Sequence, residues 1–281
     1  MNGTRVLSLH ACATEANETV TGNHGHSDHT RSRGAAIWES GVECSMPTRP
    51  TALITGASRG IGRAIALALA PTHDLVLTAR TADALAAVAR DATTLGSGVR
   101  TIPCDVADPA AVATALADIS CDVLVNNAGV ATLKPFLSMT AEQWHGMVDV
   151  NISALFHVTR AVLPGMVERQ HGHVINIGST AGRNTFVGGT CYAGTKHFVM
   201  GFSESLMLEV RDAGVKVSVV MPGSVETELF PAGTDTSWMC TPDDIGHAVR
   251  QLVDTPPHTL QFIVEVRPLS PKRRRDGTRR G

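Results

Sequence analysis

Seven short apolar runs alternate with helical stretches from residue 51 onward, and this alternation limits the chain to very few architectures. The runs are "TALIT" (51–55), "DLVLTA" (74–79), "VRTIPC" (99–104), "DVLVNN" (122–127), "GHVINIGS" (172–179), "VKVSVVMP" (215–222) and "LQFIVEV" (260–266). Their apolar residues are continuous rather than alternating, as in strands buried on both faces. Strands that alternate with helices build βαβ units. The predicted fold is therefore α/β: a doubly wound parallel sheet of seven strands with helices on both faces, in a single domain over 49–268. A hydrophobic content of 43% suffices for such a core. Ligands of such sheets bind beyond the carboxyl ends of the strands.

Both ends of the chain differ from this pattern. Residues 1–48 are rich in polar residues without apolar period, which predicts a disordered N-terminal extension. Met46, just before the first strand, offers an alternative start. His24, His26 and His29 lie in that segment without a rigid scaffold, so no metal site is expected. Residues 269–281 carry Lys272, Arg273, Arg274, Arg275, Arg279 and Arg280 and read as a basic disordered tail. The net charge of −2 gives no reason to expect nucleic acid as a partner. The six cysteines have no paired spacing, which suits reduced thiols and a cytoplasmic protein. No apolar run reaches about 18 residues, so no membrane span is expected.

Two motifs carry chemistry. "TGASRGIG" (55–62) joins the first strand to a helix, and its glycines let the backbone approach a phosphate at the helix N-terminus. "CYAGTK" (191–196) holds the one tyrosine of the chain, Tyr192, four residues before Lys196. Positions i and i+4 share a helix face. A neighbouring ammonium favours the phenolate, so the phenol is expected to titrate below its usual value near 10.

These two motifs, with "NNAG" (126–129) and Ser179 between them in that order, resemble the short-chain dehydrogenase/reductase family over roughly residues 50–268. The resemblance implies the strand order 3-2-1-4-5-6-7 and a catalytic tetrad of Asn151, Ser179, Tyr192 and Lys196. Tyr192 would be the acid/base, Ser179 would bond the substrate oxygen, and Asn151 would hold a water in a relay with Lys196. Gly56, Ser58, Arg59, Gly60, Ile61 and Gly62 would cradle the dinucleotide, with Tyr192 and Lys196 also in contact with it. Asp105 would bind the adenine amino group beside Val106. Asn126, Asn127, Ala128 and Gly129 would meet the adenosine ribose, and Pro222, Gly223, Val225 and Thr227 the nicotinamide end.

Cofactor choice is legible from charge. The second strand is followed by Arg80, with no acid before Asp83, and Arg59 adds a second cation. Guanidinium groups suit the extra phosphate of NADP, so NADP(H) is expected and NAD is disfavoured. The expected reaction is hydride transfer between NADP(H) and a small or medium carbonyl compound or secondary alcohol. The alternatives are a 3-oxoacyl-carrier-protein reductase and a non-enzymatic nucleotide sensor. A polar loop after 230 would cover the substrate, with Trp238 and Met239 either touching it or anchoring the loop. The resemblance also implies a homodimer or homotetramer built on the long helices, about 141–169 and 192–211.

Overall fold

The computed structural model describes residues 49–270 apart from 229 and 232. The predicted extension, its histidine cluster and the basic tail from Lys272 lie outside the described residues. Seven parallel strands form one sheet: β1 (Thr51–Thr55), β2 (Asp74–Ala79), β3 (Val99–Pro103), β4 (Val123–Asn126), β5 (Gly172–Ile177), β6 (Val215–Pro222) and β7 (Ile263–Val266). Their order is β3-β2-β1-β4-β5-β6-β7, as the family resemblance implies. The order reverses between β1 and β4, and that switch point opens the binding crevice.

The helices are α1 (Gly60–Leu69), α2 (Ala82–Thr94), α3 (Pro109–Ala115), α4 (Ala141–Val148), α5 (Ala154–Glu168), α6 (Thr190–Val210) and α7 (Pro242–Val253). Successive strand residues face opposite sides, so β1 sends Ala52 and Ile54 into one core layer and Leu53 into the other. The first layer packs α1, α2 and α7 against the sheet, and the second packs α3, α5 and α6. Start signals are satisfied locally. Asp108 caps α3 by accepting from the Ala110 and Ala111 N–H groups at 2.9 and 3.1 Å, with Pro109 in the first helical position. Thr140 with Gln143 and Thr241 with Asp244 form capping boxes on α4 and α7.

Most strand bounds fall within one residue of the sequence reading, and two depart further. β7 begins at Ile263 rather than 260, because Gln261 offers its carbonyl to the Ser218 hydroxyl instead of a ladder partner. β5 stops at Ile177, since Ser179 already caps a short 3₁₀ turn. The joined helix Ala141–Glu168 is long and apolar enough to cross a membrane by length and composition alone. Its inner face, including Ala154, Val158, Val162 and Met166, belongs to the second core layer, as in a helix packed on a sheet.

At the amino-terminal edge of the sheet, His173 is buried between β4 and β6 and its Nε2 lies 2.8 Å from the Ser218 Oγ. The Ser218 hydroxyl proton goes to the Gln261 carbonyl at 2.7 Å, so Nε2 must donate and the ring is the neutral Nε2–H tautomer. Burial, aided by the Lys216 charge, pushes the ring down to about 3. Below about pH 6.5 the unfolded chain therefore takes up a proton that the folded ring refuses, and stability falls with pH until about 3. The wild-type protein is expected to lose about 2 kcal/mol more than His173→Gln between pH 7 and pH 5, measured by urea unfolding. Equal losses in the two proteins would contradict this.

Candidate active site

At the switch point, β1 delivers Thr55 into the turn before α1. Gly56 takes φ +64°, a left-handed conformation that side chains disfavour. A methyl at Gly62 would come within 2.2 Å of the Gly56 carbonyl, so the turn closes tightly only with glycine there. No side chain caps α1, and its first N–H groups face the crevice end of the sheet. Ser58 and Ile61 flank these glycines half-buried, and Arg59 is exposed.

The Thr55 hydroxyl stitches this turn to the end of β4. Its oxygen accepts from the Asn127 and Ala128 N–H groups, each at 3.0 Å. The Asn127 amide returns two bonds, to the Thr55 and Gly56 carbonyls at 3.0 and 3.2 Å. Asn126 points the other way: its buried amide donates to Thr159 at 3.0 Å and to Asn176 at 2.9 Å, and Asn176 donates to Ser203 at 2.8 Å. Its side chain thus braces β4, β5, α5 and α6, and any share it takes in the crevice is main-chain.

Asn151, Ser179, Tyr192 and Lys196 come from three different elements. The interruption expected near Val150 is a π-helical turn, Asp149–Ser153, between α4 and α5. It buries Asn151, whose amide accepts from the Val130 N–H at 2.9 Å and donates to the Val130 carbonyl at 2.9 Å. The same amide nitrogen reaches the Thr195 hydroxyl at 3.1 Å, and Thr195 in turn donates to the Tyr192 carbonyl at 2.8 Å. Lys196 is buried, with Nζ donating to the Ile177 carbonyl at 2.9 Å and lying 5.9 Å from the centre of the Tyr192 ring. A methyl at Gly129 would sit 3.4 Å from Asn151 Oδ1 and 3.9 Å from Lys196 Nζ, which brings "NNAG" against both.

The electrostatics correct one expectation. Burial pushes the Tyr192 phenol up, and the Ser179 hydroxyl pulls the other way. Lys196 is not the dominant influence on it. Burial lowers the lysine itself to about 8. A cavity of about 20 Å³ lies behind the pair, lined by Thr55, Asn126, Asn151, Asn176 and Lys196 among apolar neighbours. That volume matches about one water molecule, and the polar lining supplies partners for it.

The remaining predicted residues ring the same crevice. Arg80 is exposed at the end of β2. Asp105 is exposed after β3, with Oδ1 accepting from the Ala107 N–H at 3.0 Å, while Val106 is buried beside the cavity. β6 ends at Pro222, and the Gly223 N–H bonds the Val266 carbonyl at 2.8 Å. Val225 bridges to Cys240, after which the chain returns over the glycine turn. There a methyl at Gly60 would lie 3.6 Å from the Thr227 methyl, and Glu228 pairs with Arg59 at 3.8 Å. Trp238 donates to the Asp235 carbonyl within its own loop at 3.0 Å.

Sequence reading did not single out Thr55, Thr195 or the segment 130–138. Both threonines lie within the quoted motifs, but what their hydroxyls hold is far away in sequence and is not visible from spacing. The segment has no periodicity, but it starts at Val130, which Asn151 holds. Replacing Thr55 with Val keeps the shape and removes the acceptor for two N–H groups. This variant is expected to lose about 2–4 kcal/mol in urea unfolding. A loss under about 0.5 kcal/mol would show that the stitch is dispensable.

Residues 50–237 match the sequence model of the short chain dehydrogenase family. The chain is 38% identical over 237 residues to the NADP-dependent 3-hydroxy acid dehydrogenase YdfG of Salmonella typhi, covering 78% of this chain and 94% of that protein. It is 38% identical over 189 residues to the 3-oxoacyl-[acyl-carrier-protein] reductase FabG of Escherichia coli K12, covering 66% and 77%. The closed form of a serine dehydrogenase complexed with NADP+ superimposes with a TM-score of 0.74 at 33% identity, covering 79% of this chain and 96% of that one. The family match, the relatives' identity over most of the chain and the shared fold lead to one conclusion: this chain belongs to the short-chain dehydrogenase family.

Proposed function

We propose that the protein transfers hydride between NADP(H) and a carbonyl or secondary alcohol of a small or medium metabolite, with Tyr192 as the acid/base. The observation that carries this reading is the convergence of Ser179, Tyr192 and the buried Lys196 ammonium at the crevice, with Nζ 5.9 Å from the centre of the Tyr192 ring. The residues present suit the cofactor. The uncapped start of α1 and the exposed Arg59 and Arg80 offer donors and cations for phosphates, and no acid lies at the end of β2. When bound, NADPH supplies the hydride.

Negative charge then grows on the substrate oxygen, and Tyr192 hands its phenolic proton to that atom while the Ser179 hydroxyl bonds it. Lys196 favours the phenolate left behind. Asn151 and the one-water cavity offer a path by which the proton returns. In the oxidation direction the phenolate takes the alcohol proton. Because Lys196 titrates near 8, carbonyl reduction is expected to slow as pH rises through that value.

The relatives' names suggest hydroxy acids as the first compounds to try, as does the longer match to YdfG. The match to FabG supports 3-oxoacyl thioesters as a second class. We read the protein as cytoplasmic, consistent with the free buried thiols of Cys104, Cys121, Cys191 and Cys240. We also read it as a homo-oligomer. Phe156 on α5 and Phe198 and Leu208 on α6 expose apolar surface that a second copy would cover.

The test is turnover of ketones, 3-oxo acids and 3-oxoacyl thioesters with NADPH and NADH in parallel. NADPH is expected to be preferred, and Tyr192→Phe to lose about 10²–10⁴ in rate. Arg80→Asp is expected to weaken NADPH binding by about 1.5–3 kcal/mol. A wild-type protein that prefers NADH, or a Phe variant that keeps its rate, would contradict the proposal.

A further inference from the structure

Two connections are tied to the elements around the tyrosine: 130–138, after β4, and 184–189, between β5 and α6. They are tied to each other by a bond from the Lys134 N–H to the Gly188 carbonyl at 3.0 Å. Each is also tied to the catalytic elements. Val130 is held at both its backbone groups by Asn151. Gly189 accepts from the Ala193 N–H at 2.7 Å, in the turn of α6 that carries Tyr192. The Phe186 ring folds back over that helix start, since a methyl at Gly189 would touch it at 2.9 Å.

These connections are unusually apolar for surface loops. Val130, Leu133, Phe136, Leu137, Phe186 and Val187 are all exposed, with Leu137 at 95% and Val187 at 99%. They make up six of the fourteen large apolar residues exposed among the described residues, within two short segments of a chain that is only 4% aromatic. Lone exposed apolar side chains are ordinary, but a cluster around one opening marks a binding surface. Charge is sparse here. Lys134 is the one charged residue in the two connections outside their ends. The Arg183 guanidinium just before 184 is turned to Glu265 at 3.8 Å, and Glu265 also pairs with Arg267.

We infer that this mouth receives an apolar chain attached to the reacting carbonyl carbon, so that the substrate is a medium-chain or aryl carbonyl compound rather than a short polar hydroxy acid. This inference rests on the reading of Tyr192 and Ser179 as the groups that hold the carbonyl oxygen. From that point the chain would run outward among the exposed side chains of the two connections, Val130, Leu133, Phe136 and Phe186. Continuity with the catalytic residues selects this occupant over a second copy, for which α5 and α6 already present an apolar face.

Aliphatic primary amides test the inference without turnover, because they present a carbonyl that this chemistry does not reduce. Acetamide, butanamide, hexanamide and octanamide are titrated by calorimetry into the full-length protein saturated with NADP+. Affinity is expected to rise about threefold to fourfold per methylene as the chain leaves water. The increments are expected to flatten in the doubly substituted Phe136→Ser, Phe186→Ser protein, whose changes are at exposed positions. Affinity independent of chain length, or increments equal in both proteins, would overturn the inference. So would a fall in the variant's oligomer mass, by light scattering, with the increments intact: the mouth would then be a contact between copies. Increments as expected without reduction of any ketone by NADPH would sustain the apolar mouth and defeat the reductase reading instead.

Discussion

An ammonium group held inside the protein is the constraint around which this structure is arranged. Burying a lone charge is unfavourable by several kcal/mol unless partners replace its water. Lys196 is buried, and burial lowers it only to about 8, so the charged form still dominates at neutral pH. Its partners come from separate elements: the Ile177 carbonyl at the end of β5, the face of the Tyr192 ring, and the polar cavity lined by Asn151 and Thr55. Each partner needs its own local device. The π-helical turn brings Asn151 inward, Thr195 pins that amide to the tyrosine's turn, and the Thr55 hydroxyl holds "NNAG" where Gly129 meets the ammonium.

This arrangement divides the electrostatic work between chain and cofactor. In the free protein the phenol is held up by burial, and Ser179 offers the main counter-influence. A proton therefore resides on Tyr192 until something further favours the phenolate, which suits a group that must donate during carbonyl reduction. An oxidised nicotinamide ring carries positive charge, and its arrival beside the phenol would favour the phenolate for the reverse direction. On the proposed reading, the protein's own contribution would be to keep Lys196 charged and close, with the cavity as a route for proton return.

Much of this was readable in the sequence because it rests on strand burial and on short-range spacing. Strands buried on both faces must be continuously apolar, so β1, β2, β4, β5 and β6 stood out within a residue or two, and Tyr192 with Lys196 needed only the helical repeat. The break in helical pattern near Val150 marked the π turn. What escaped were groups that act through the backbone. Thr55 and Thr195 are small hydroxyls whose partners lie more than forty residues away, apart from the local Tyr192 carbonyl. The inward turn of the Asn126 amide depends on Asn176 standing opposite it in the β4–β5 register, a long-range fact. The apolar mouth escaped because 130–138 has neither helical nor strand period. The lowered phenol failed as an expectation because spacing reveals which charges are near but not how much water is lost.

The lone tyrosine permits a direct test of the claim that Tyr192 and Lys196 act as a charge-coupled pair completed by the cofactor. Tyrosinate difference absorbance reports this one phenol among 281 residues. In the free protein its midpoint is expected above the usual value near 10, and saturation with NADP+ is expected to move it down. In Lys196→Met the NADP+-bound midpoint is expected to be higher than in the wild type, the observed value belonging to the pair rather than to the phenol alone. A midpoint near 10 that neither NADP+ nor the loss of Lys196 shifts would contradict the account.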